Sequence, residues 1–183
     1  MTGKDVKMSR VWAMPSADTF SIQPIADLLD RWLPKDGVIV DPFARNSKVG
    51  TLTNDLDPTT EATYHMDAED FCHTLVAKGV VADATVFDPP YSNEQISRTY
   101  RGIGREVTTT DTQNGALYAR ARNALVQVLK SGGIAVSFGW NSAGFGRGRG
   151  FEMLEILLVC HGGAHFDTIC VVERKVQATL EVG

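Results

Sequence analysis

The tetrapeptide Asp88-Pro89-Pro90-Tyr91 follows the apolar run Ala84-Thr85-Val86-Phe87, and its residue types suit the grip on a planar amino group. Adjacent prolines carry no backbone N–H and fix φ, so the turn after a strand offers acceptors without competing donors. The residue before a proline is pushed into an extended conformation, which aims the Asp88 side chain outward from the strand end. A carboxylate and a backbone carbonyl can then accept both hydrogens of an exocyclic NH2, while Tyr91 supplies a flat face for the ring that bears it. The competing reading is a proline-rich turn with a helix-capping Asp. Three further acids, Asp41, Asp55 and Asp67, fall at other predicted strand ends or at the helix start that follows one. One such residue is ordinary turn chemistry. Four in register form a line of acceptors along one rim.

The elements that must position these residues alternate between strand and helix. Ile25, Leu28, Leu29 and Trp32 recur at helical spacing after Pro24, which predicts an amphipathic helix with a proline at its start. Val38-Ile39-Val40 reads as a short buried strand ending at Asp41-Pro42-Phe43, and Leu52 to Leu56 as a second. Asp67 caps a predicted helix that runs to Lys78 and stops at Gly79. Ala82 to Phe87 is the strand before the Asp-Pro-Pro-Tyr turn. A helix from Asn114 to Lys130 stops at Gly132-Gly133, and Ile134 to Phe138 is the next strand. Leu154 to Val159 and Thr168 to Val172, joined at Gly162-Gly163, read as a hairpin. This order predicts an α/β fold, a mostly parallel sheet with an antiparallel C-terminal hairpin. In such sheets ligands bind outside the carboxyl ends of the strands, where the four acids fall.

Composition sets the outer bounds. The chain has 183 residues, 43% hydrophobic and 22% charged, which are values of a globular domain. No apolar run reaches membrane-spanning length and no signal peptide is visible in the polar first ten residues. Cys72, Cys160 and Cys170 lack metal-type spacing and suit reduced thiols in a cytoplasm. The net charge of −4 argues against gripping a polyanion over the whole surface. Residues 92–150, however, hold eight basic and three acidic residues, a net of +5 that leaves the rest of the chain at −9. A basic face that begins directly after the Asp-Pro-Pro-Tyr turn suits a phosphate-bearing substrate, with Arg98, Arg101, Arg105, Arg147 and Arg149 as candidate contacts. Solvated surface arginines are the plainer alternative.

The ordered blocks resemble the S-adenosylmethionine-dependent amino-group DNA methyltransferases, specifically small N6-adenine enzymes of the phage and orphan type. Thr19-Phe20-Ser21-Ile22-Gln23-Pro24-Ile25 and Val38-Ile39-Val40-Asp41-Pro42-Phe43-Ala44 are similar to that family's motif X running into motif I. Thr53-Asn54-Asp55-Leu56-Asp57-Pro58 and Tyr64-His65-Met66-Asp67-Ala68 resemble motifs II and III, and Asp88-Pro89-Pro90-Tyr91-Ser92 resembles motif IV. The resemblance implies a class I, Rossmann-like fold with a seven-stranded sheet, spanning residues 11–175 as one domain. Residues 1–10 and 176–183 then read as tails. It implies S-adenosylmethionine as cofactor. Thr19, Phe20, Asp41, Pro42, Phe43 and Ala44 would lie about the methionine end, Asp55 (or Asp57) would take the ribose hydroxyls, and Asp67 with Ala68 the adenine. Asp88 and the Pro89 carbonyl would hold the target N6, and Pro90 and Tyr91 would complete that grip. Tyr91 would stack on a base extruded from the duplex. DNA is the implied partner, in the cytoplasm of a bacterial or phage-infected cell.

Two departures qualify the resemblance. The family's Gly-rich loop after Asp-Pro-Phe is here Ala44-Arg45-Asn46-Ser47-Lys48-Val49-Gly50, so approach to the cofactor would fall to side chains such as Asn46. There is also no room for a separate target-recognition domain, which points to a homodimer or a partner that supplies recognition. Gly144, Gly146, Gly148 and Gly150, interleaved with Arg147 and Arg149, read as a flexible basic loop, either a phosphate contact or a connector. Cytosine-N4 or RNA amino methylation, and a non-catalytic cofactor-binding subunit, are the alternatives. His161 and His165 beside Cys160 flank a tight Gly-Gly turn and make a poor metal site. Ser137 and Ser142 lack a nucleophile elbow. Trp12, Trp32 and Trp140 read as core or pocket wall.

Overall fold

A computed structural model describes residues 5–90, 114–163 and 165–176, with the side chains of 114–117 left aside. Seven strands form one sheet: β1 (Lys7–Trp12), β2 (Ile39–Asp41), β3 (Leu52–Thr53), β4 (Ala82–Phe87), β5 (Leu129–Gly139), β6 (Phe151–Cys160) and β7 (Thr168–Lys175). Their spatial order is β1-β6-β7-β5-β4-β2-β3. Strand β7 runs antiparallel to both neighbours, β5 and β6, and every other pairing is parallel. The Gly162-Gly163 turn that joins β6 to β7 has positive φ at both residues (68° and 60°), a conformation in which glycine carries no steric penalty.

Among the described residues, three α-helices cover the two faces. Helix α1 (Gln23–Trp32) carries a proline in its first turn and buries Ile25, Leu28 and Leu29, the stripe that its spacing predicts. It packs on one face with Val86, Val136, Phe138, Leu157, Val159, Cys170 and Val172. Helix α2 (Ala68–Ala77) begins at Asp67, whose side chain accepts the Glu69 N–H, and Glu69 and Asp70 in its first turn complement the helix dipole. Helix α3 (Asn114–Val128) buries Tyr118, Ala121, Ala124, Leu125 and Val128. Helices α2 and α3 cover the other face with Val40, Phe71, Leu75 and Phe87. Strand β4 is buried on both faces, as a central parallel strand must be, with Val86 turned to one core and Phe87 to the other.

Four boundaries differ from the sequence reading. Residues 1–10 were expected to form a tail, yet Lys7–Arg10 belong to β1, paired with Glu155–Leu158 of β6. The reason is a buried acid. Glu155 is 1% exposed and accepts from Arg31 (2.9 Å), Lys7 (3.1 Å) and the Trp32 indole (2.8 Å), which ties β1 and α1 to β6. The expected strand Leu52 to Leu56 shrinks to Leu52–Thr53, followed by a single parallel bridge from Asn54 to Tyr64. Helix α3 ends at Val128 rather than Lys130, and the chain enters β5 at once. The loop of residues 144–150 is no flexible connector. Glu173, 1% exposed on β7, accepts the N–H groups of Phe145 (2.6 Å) and Gly146 (2.9 Å), and Arg147–Arg149 form a 3-10 turn. Gly144 must be glycine there, since its φ is 55° and a Cβ would meet the Glu173 carboxylate at 2.2 Å.

Among the described residues no helix is long and apolar enough to cross a membrane. Cys72, Cys160 and Cys170 are buried free thiols.

Candidate active site

Strand β2 lies between β3 and β4, so the chain turns one way out of β2 into β3 and returns on the other side as β4. A reversal of this kind opens a crevice at the carboxyl ends of β2 and β4, the position where open α/β sheets bind ligands. Asp41 is the last residue of β2 and Asp88 follows the last residue of β4. Both flank that crevice.

Asp41 is fully buried. Its Oδ1 accepts the Phe43 N–H at 3.1 Å, and its Oδ2 is buried with no hydrogen-bond partner among the described residues. Burial pushes the carboxyl up to about 8; the Phe43 N–H pulls it down, and the charges of Asp88 and Asp55 push it further up. An unsatisfied buried carboxylate oxygen is costly, which favours the protonated form of this acid. Gly50 faces it closely enough that a Cβ there would lie 2.7 Å from the Asp41 Cβ.

Asp88 sits in a related field. Burial raises its carboxyl to about 6, while a hydrogen bond from the Thr19 side chain and the charge of Arg45 pull it back, and Asp18 pushes it up. Pro89 is buried, and the Pro90 carbonyl accepts the Tyr118 hydroxyl at 2.9 Å, which fixes the turn to α3. Tyr118 in turn meets Phe43 edge-on (5.8 Å), and Phe43 meets Phe87 edge-on (5.3 Å), so an aromatic floor connects the two strand ends. Thr19 and Phe20 open a short 3-10 turn (Thr19–Ser21) capped by Asp18, with Phe20 packed on Phe138 at 5.1 Å. Tyr91 lies outside the described residues, as do Arg98, Arg101 and Arg105.

The loop after β2 crosses directly to β3 with no helix between. Pro42 and Ala44 are buried, and the Ala44 N–H donates to the Asn54 carbonyl at 2.8 Å. Arg45 adopts φ 51°, the one positive φ at a non-glycine among the described residues. Asp55 is 9% exposed and accepts the Arg45 N–H at Oδ2 (3.0 Å) and the Asp57 N–H at Oδ1 (2.9 Å). Each oxygen keeps a second acceptor position for a ligand hydroxyl. Asp57 instead closes its own turn on Thr59, whose side chain and N–H hold its carboxyl below the usual range. Asn46 uses its side-chain oxygen to accept the Glu61 N–H at 2.9 Å, so it ties two loops together. Asp67 and Ala68 start α2 on the far side of β3.

Asn54 is the residue that sequence reasoning passed over. It is 1% exposed; its Nδ2 donates to the carbonyls of Pro42 (3.1 Å) and Met66 (3.0 Å), and its Oδ1 accepts the Met66 N–H (3.1 Å). One amide therefore sets the spacing between the β2 end, the β3 end and the start of α2. The available signal was an Asn between two other polar residues at a strand end, which is too weak to name a role. On the basic face, Arg147 is exposed. Arg149 is committed inward, donating from Nε to the Asn123 side chain (2.7 Å) and from Nη1 to the Phe145 carbonyl (3.0 Å).

No family model matches the chain, and no curated protein sequence matches it. Solved structures do resemble its fold. NSun6 from Pyrococcus horikoshii, solved with SFG, superposes with a TM-score of 0.54 at 17% identity over 83% of this chain and 50% of that one. TrmN from Thermus thermophilus gives 0.53 at 16% identity over 85% and 49%. An rRNA methylase from Streptococcus thermophilus gives 0.50 at 12% identity over 82% and 93%. The chain thus spans about half the length of the first two. Its fold is that of the class I, Rossmann-like methyltransferases, with a mostly parallel seven-stranded sheet and an antiparallel hairpin.

Proposed function

We propose that the chain transfers the methyl group of S-adenosylmethionine to the exocyclic N6 of adenine in DNA. The observation that carries this reading is the pairing of Asp88-Pro89-Pro90 with a buried, half-satisfied Asp41 at the carboxyl ends of the neighbouring strands β2 and β4. A carboxylate followed by two prolines is a set of acceptors with no donor, which fits an amino group and little else. The cofactor fits the opposite wall. The unpaired Asp41 Oδ2 suits its cationic amino-acid end, and the free acceptor positions of Asp55 suit its ribose hydroxyls. When bound, S-adenosylmethionine supplies a methyl carbon made electrophilic by a sulfonium.

The work left to the protein is orientation. Asp88 and the Pro89 carbonyl accept the two amino hydrogens, so the nitrogen lone pair is drawn out of the ring and aimed at the methyl carbon. With the cofactor held by Asp41 and Asp55, transfer would exchange its C–S bond for a C–N bond to the amine, and Asp88 or water would take the proton that the amine then gives up. A base with a pKa of about 6 is charged at neutral pH and accepts readily from so acidic a donor. Tyr91 would stack on the extruded base, and Arg98, Arg101, Arg105 and Arg147 would contact phosphates. Partner and oligomeric state follow the same reading: a second copy or another protein would extend the basic face.

Incubating the protein with methyl-labelled cofactor and duplex DNA, single-stranded DNA or RNA, then digesting to nucleosides, identifies the product by mass. N6-methyldeoxyadenosine is expected. N4-methylcytidine species or label in RNA alone would replace the acceptor and keep the chemistry. Cofactor binding without label in any nucleic acid would favour a non-catalytic subunit.

A further inference from the structure

Arg45 stands where glycine would be cheapest. Its φ of 51° lies in the left-handed region, which L-residues enter only when something compensates. Two contacts do so. The backbone N–H is held by Asp55 Oδ2 at 3.0 Å, and the guanidinium donates from Nη1 to the Ala17 carbonyl at 2.7 Å. Ala17 leads directly into Asp18, which caps the turn, and Thr19, whose side chain bonds Asp88. The contacts thus run in one line from the loop after β2, across the mouth of the crevice, to the acid of the Asp-Pro-Pro turn.

We propose that Arg45 is a positioning residue for the transfer step, holding the Asp18–Ser21 turn so that Thr19 keeps Asp88 aimed at the acceptor amine. This rests on the reading of the site given above. A glycine loop could approach a cofactor as closely but could not span the 28 residues of sequence to Ala17. The electrostatics agree with the geometry. Among the described residues, Thr19 and Asp18 from the turn, Arg45 from the loop, Asp41 from β2 and Cys170 from β7 share the field of Asp88, and the charge of Arg45 pulls its carboxyl down against Asp18. Removing Arg45 takes that offset away, and the freed turn loosens the Thr19 hydrogen bond as well.

Arg45→Gly is the informative variant, because glycine keeps the positive φ and spares the backbone. The Asp88 carboxyl is titrated by carbon-13 NMR in the cofactor-free protein, and methyl transfer is measured against pH. Arg45→Gly should raise the Asp88 midpoint by about half a pH unit or more, and Thr19→Val should do the same. In Arg45→Gly, kcat should fall by about tenfold near pH 6.5, with its acid limb moved to higher pH and cofactor Kd within about threefold. Arg45→Lys, which keeps the charge, should restore part of the midpoint. An Asp88 titration unmoved in Arg45→Gly overturns the linkage whatever the activity. An unchanged kcat with a moved titration overturns the role in transfer. A wild-type protein silent on every nucleic acid, with a moved titration, retires the methyl-transfer reading and leaves the Arg45–Asp88 linkage standing.

Discussion

Glu155, under the β1–β6 edge, and Asp41, at the end of β2, are 1% and 0% exposed, yet burial has opposite outcomes for the two carboxyls. Burial pushes Glu155 up, but hydrogen bonds from Trp32 and Lys7 and the charge of Arg31 outweigh it, so the carboxyl ends below its ordinary value. Asp41 receives one N–H and faces two other acids, so burial wins and its carboxyl rises to about 8. Glu173 stands between them: burial outweighs two backbone N–H bonds and the charges of Arg122 and Arg149, so its carboxyl is raised. A buried acid whose partners are all supplied by the chain is structural. One left short at a crevice is a candidate ligand-binding group.

The largest test of this contrast is at the site. Asp88→Ala should lower methyl transfer by roughly 10²–10³-fold, the usual cost of losing one oriented polar group at a reacting centre. Cofactor binding should stay within a few fold, since the role proposed for Asp88 is toward the acceptor. Calorimetric binding beside a tritium-transfer assay measures both, and retained turnover removes the role given to the Asp-Pro-Pro turn.

Glu155→Ala should do the converse: a loss of about 3 kcal/mol in stability with cofactor affinity unchanged. Three donors on β1 and α1 lose their common acceptor, so the edge strand should detach first. Urea melts and hydrogen exchange at residues 7–12 read it out. Since the folded carboxyl is below its ordinary value, Glu155 stabilises above the unfolded value and loses that contribution as pH falls through the folded one. An intact β1 in the variant would deny that this acid holds the edge.

Much of the positioning frame is legible in the sequence, and the reason is periodicity. Ile25, Leu28 and Leu29 fall on one helical stripe, Asp67 caps its helix, and the Asp-Pro-Pro turn ends an apolar strand. What escaped reading depends on long-range pairing. Strand β1 reads as a polar tail because it is an edge strand with Met8 and Trp12 still exposed (73% and 67%), and only Glu155, over a hundred residues away, explains its place. A charge tally gives no burial, so it could not show that Glu155 and Glu173 are buried or that Arg149, a candidate phosphate contact, is bonded inward. The loop glycines at 144–150 suggested mobility, but at Gly144 the lack of a side chain serves a tight approach to Glu173.

Asp41→Asn should have a smaller effect on stability, and of opposite sign to Glu155→Ala. An acid whose folded pKa is about 8 retains a proton that the unfolded chain, near 3.8, has released. Its contribution is therefore most favourable below about pH 4 and declines as pH rises toward 8. Asparagine removes that decline but brings an amide with its own hydrogen-bond needs, so the gain at pH 7.5 should be about 1–2 kcal/mol. Melting temperature against pH should be flatter in the variant. Cofactor binding should weaken, and the proton released by the wild type on binding, seen as a buffer-dependent heat, should vanish. A wild type that binds cofactor with no proton release would show that Asp41 is already charged, and the contrast with Glu155 would fall.

The smallest expected effect separates the two arginines of the 144–150 loop. Arg147 is exposed and Arg149 holds Asn123 and the Phe145 carbonyl, although both were candidates for phosphate contact on sequence grounds. Each phosphate neutralised on duplex DNA contributes about 0.9 to the slope of log K against log salt. Arg147→Ala should therefore reduce that slope by up to about one unit and leave stability unchanged. Arg149→Ala should reduce the slope little and lower stability modestly, because it breaks two internal hydrogen bonds and leaves a carbonyl unpaired. Fluorescence anisotropy of a labelled duplex at several salt concentrations measures the first, and thermal melts the second. If Arg149→Ala flattens the salt dependence as much as Arg147→Ala does, its internal bonds open on binding, and this loop must be regrouped with the ligand-facing part of the molecule. If neither changes the slope, the phosphate contacts lie on Arg98, Arg101 and Arg105 or on a partner, and the loop belongs wholly to the structural class that Glu173 defines.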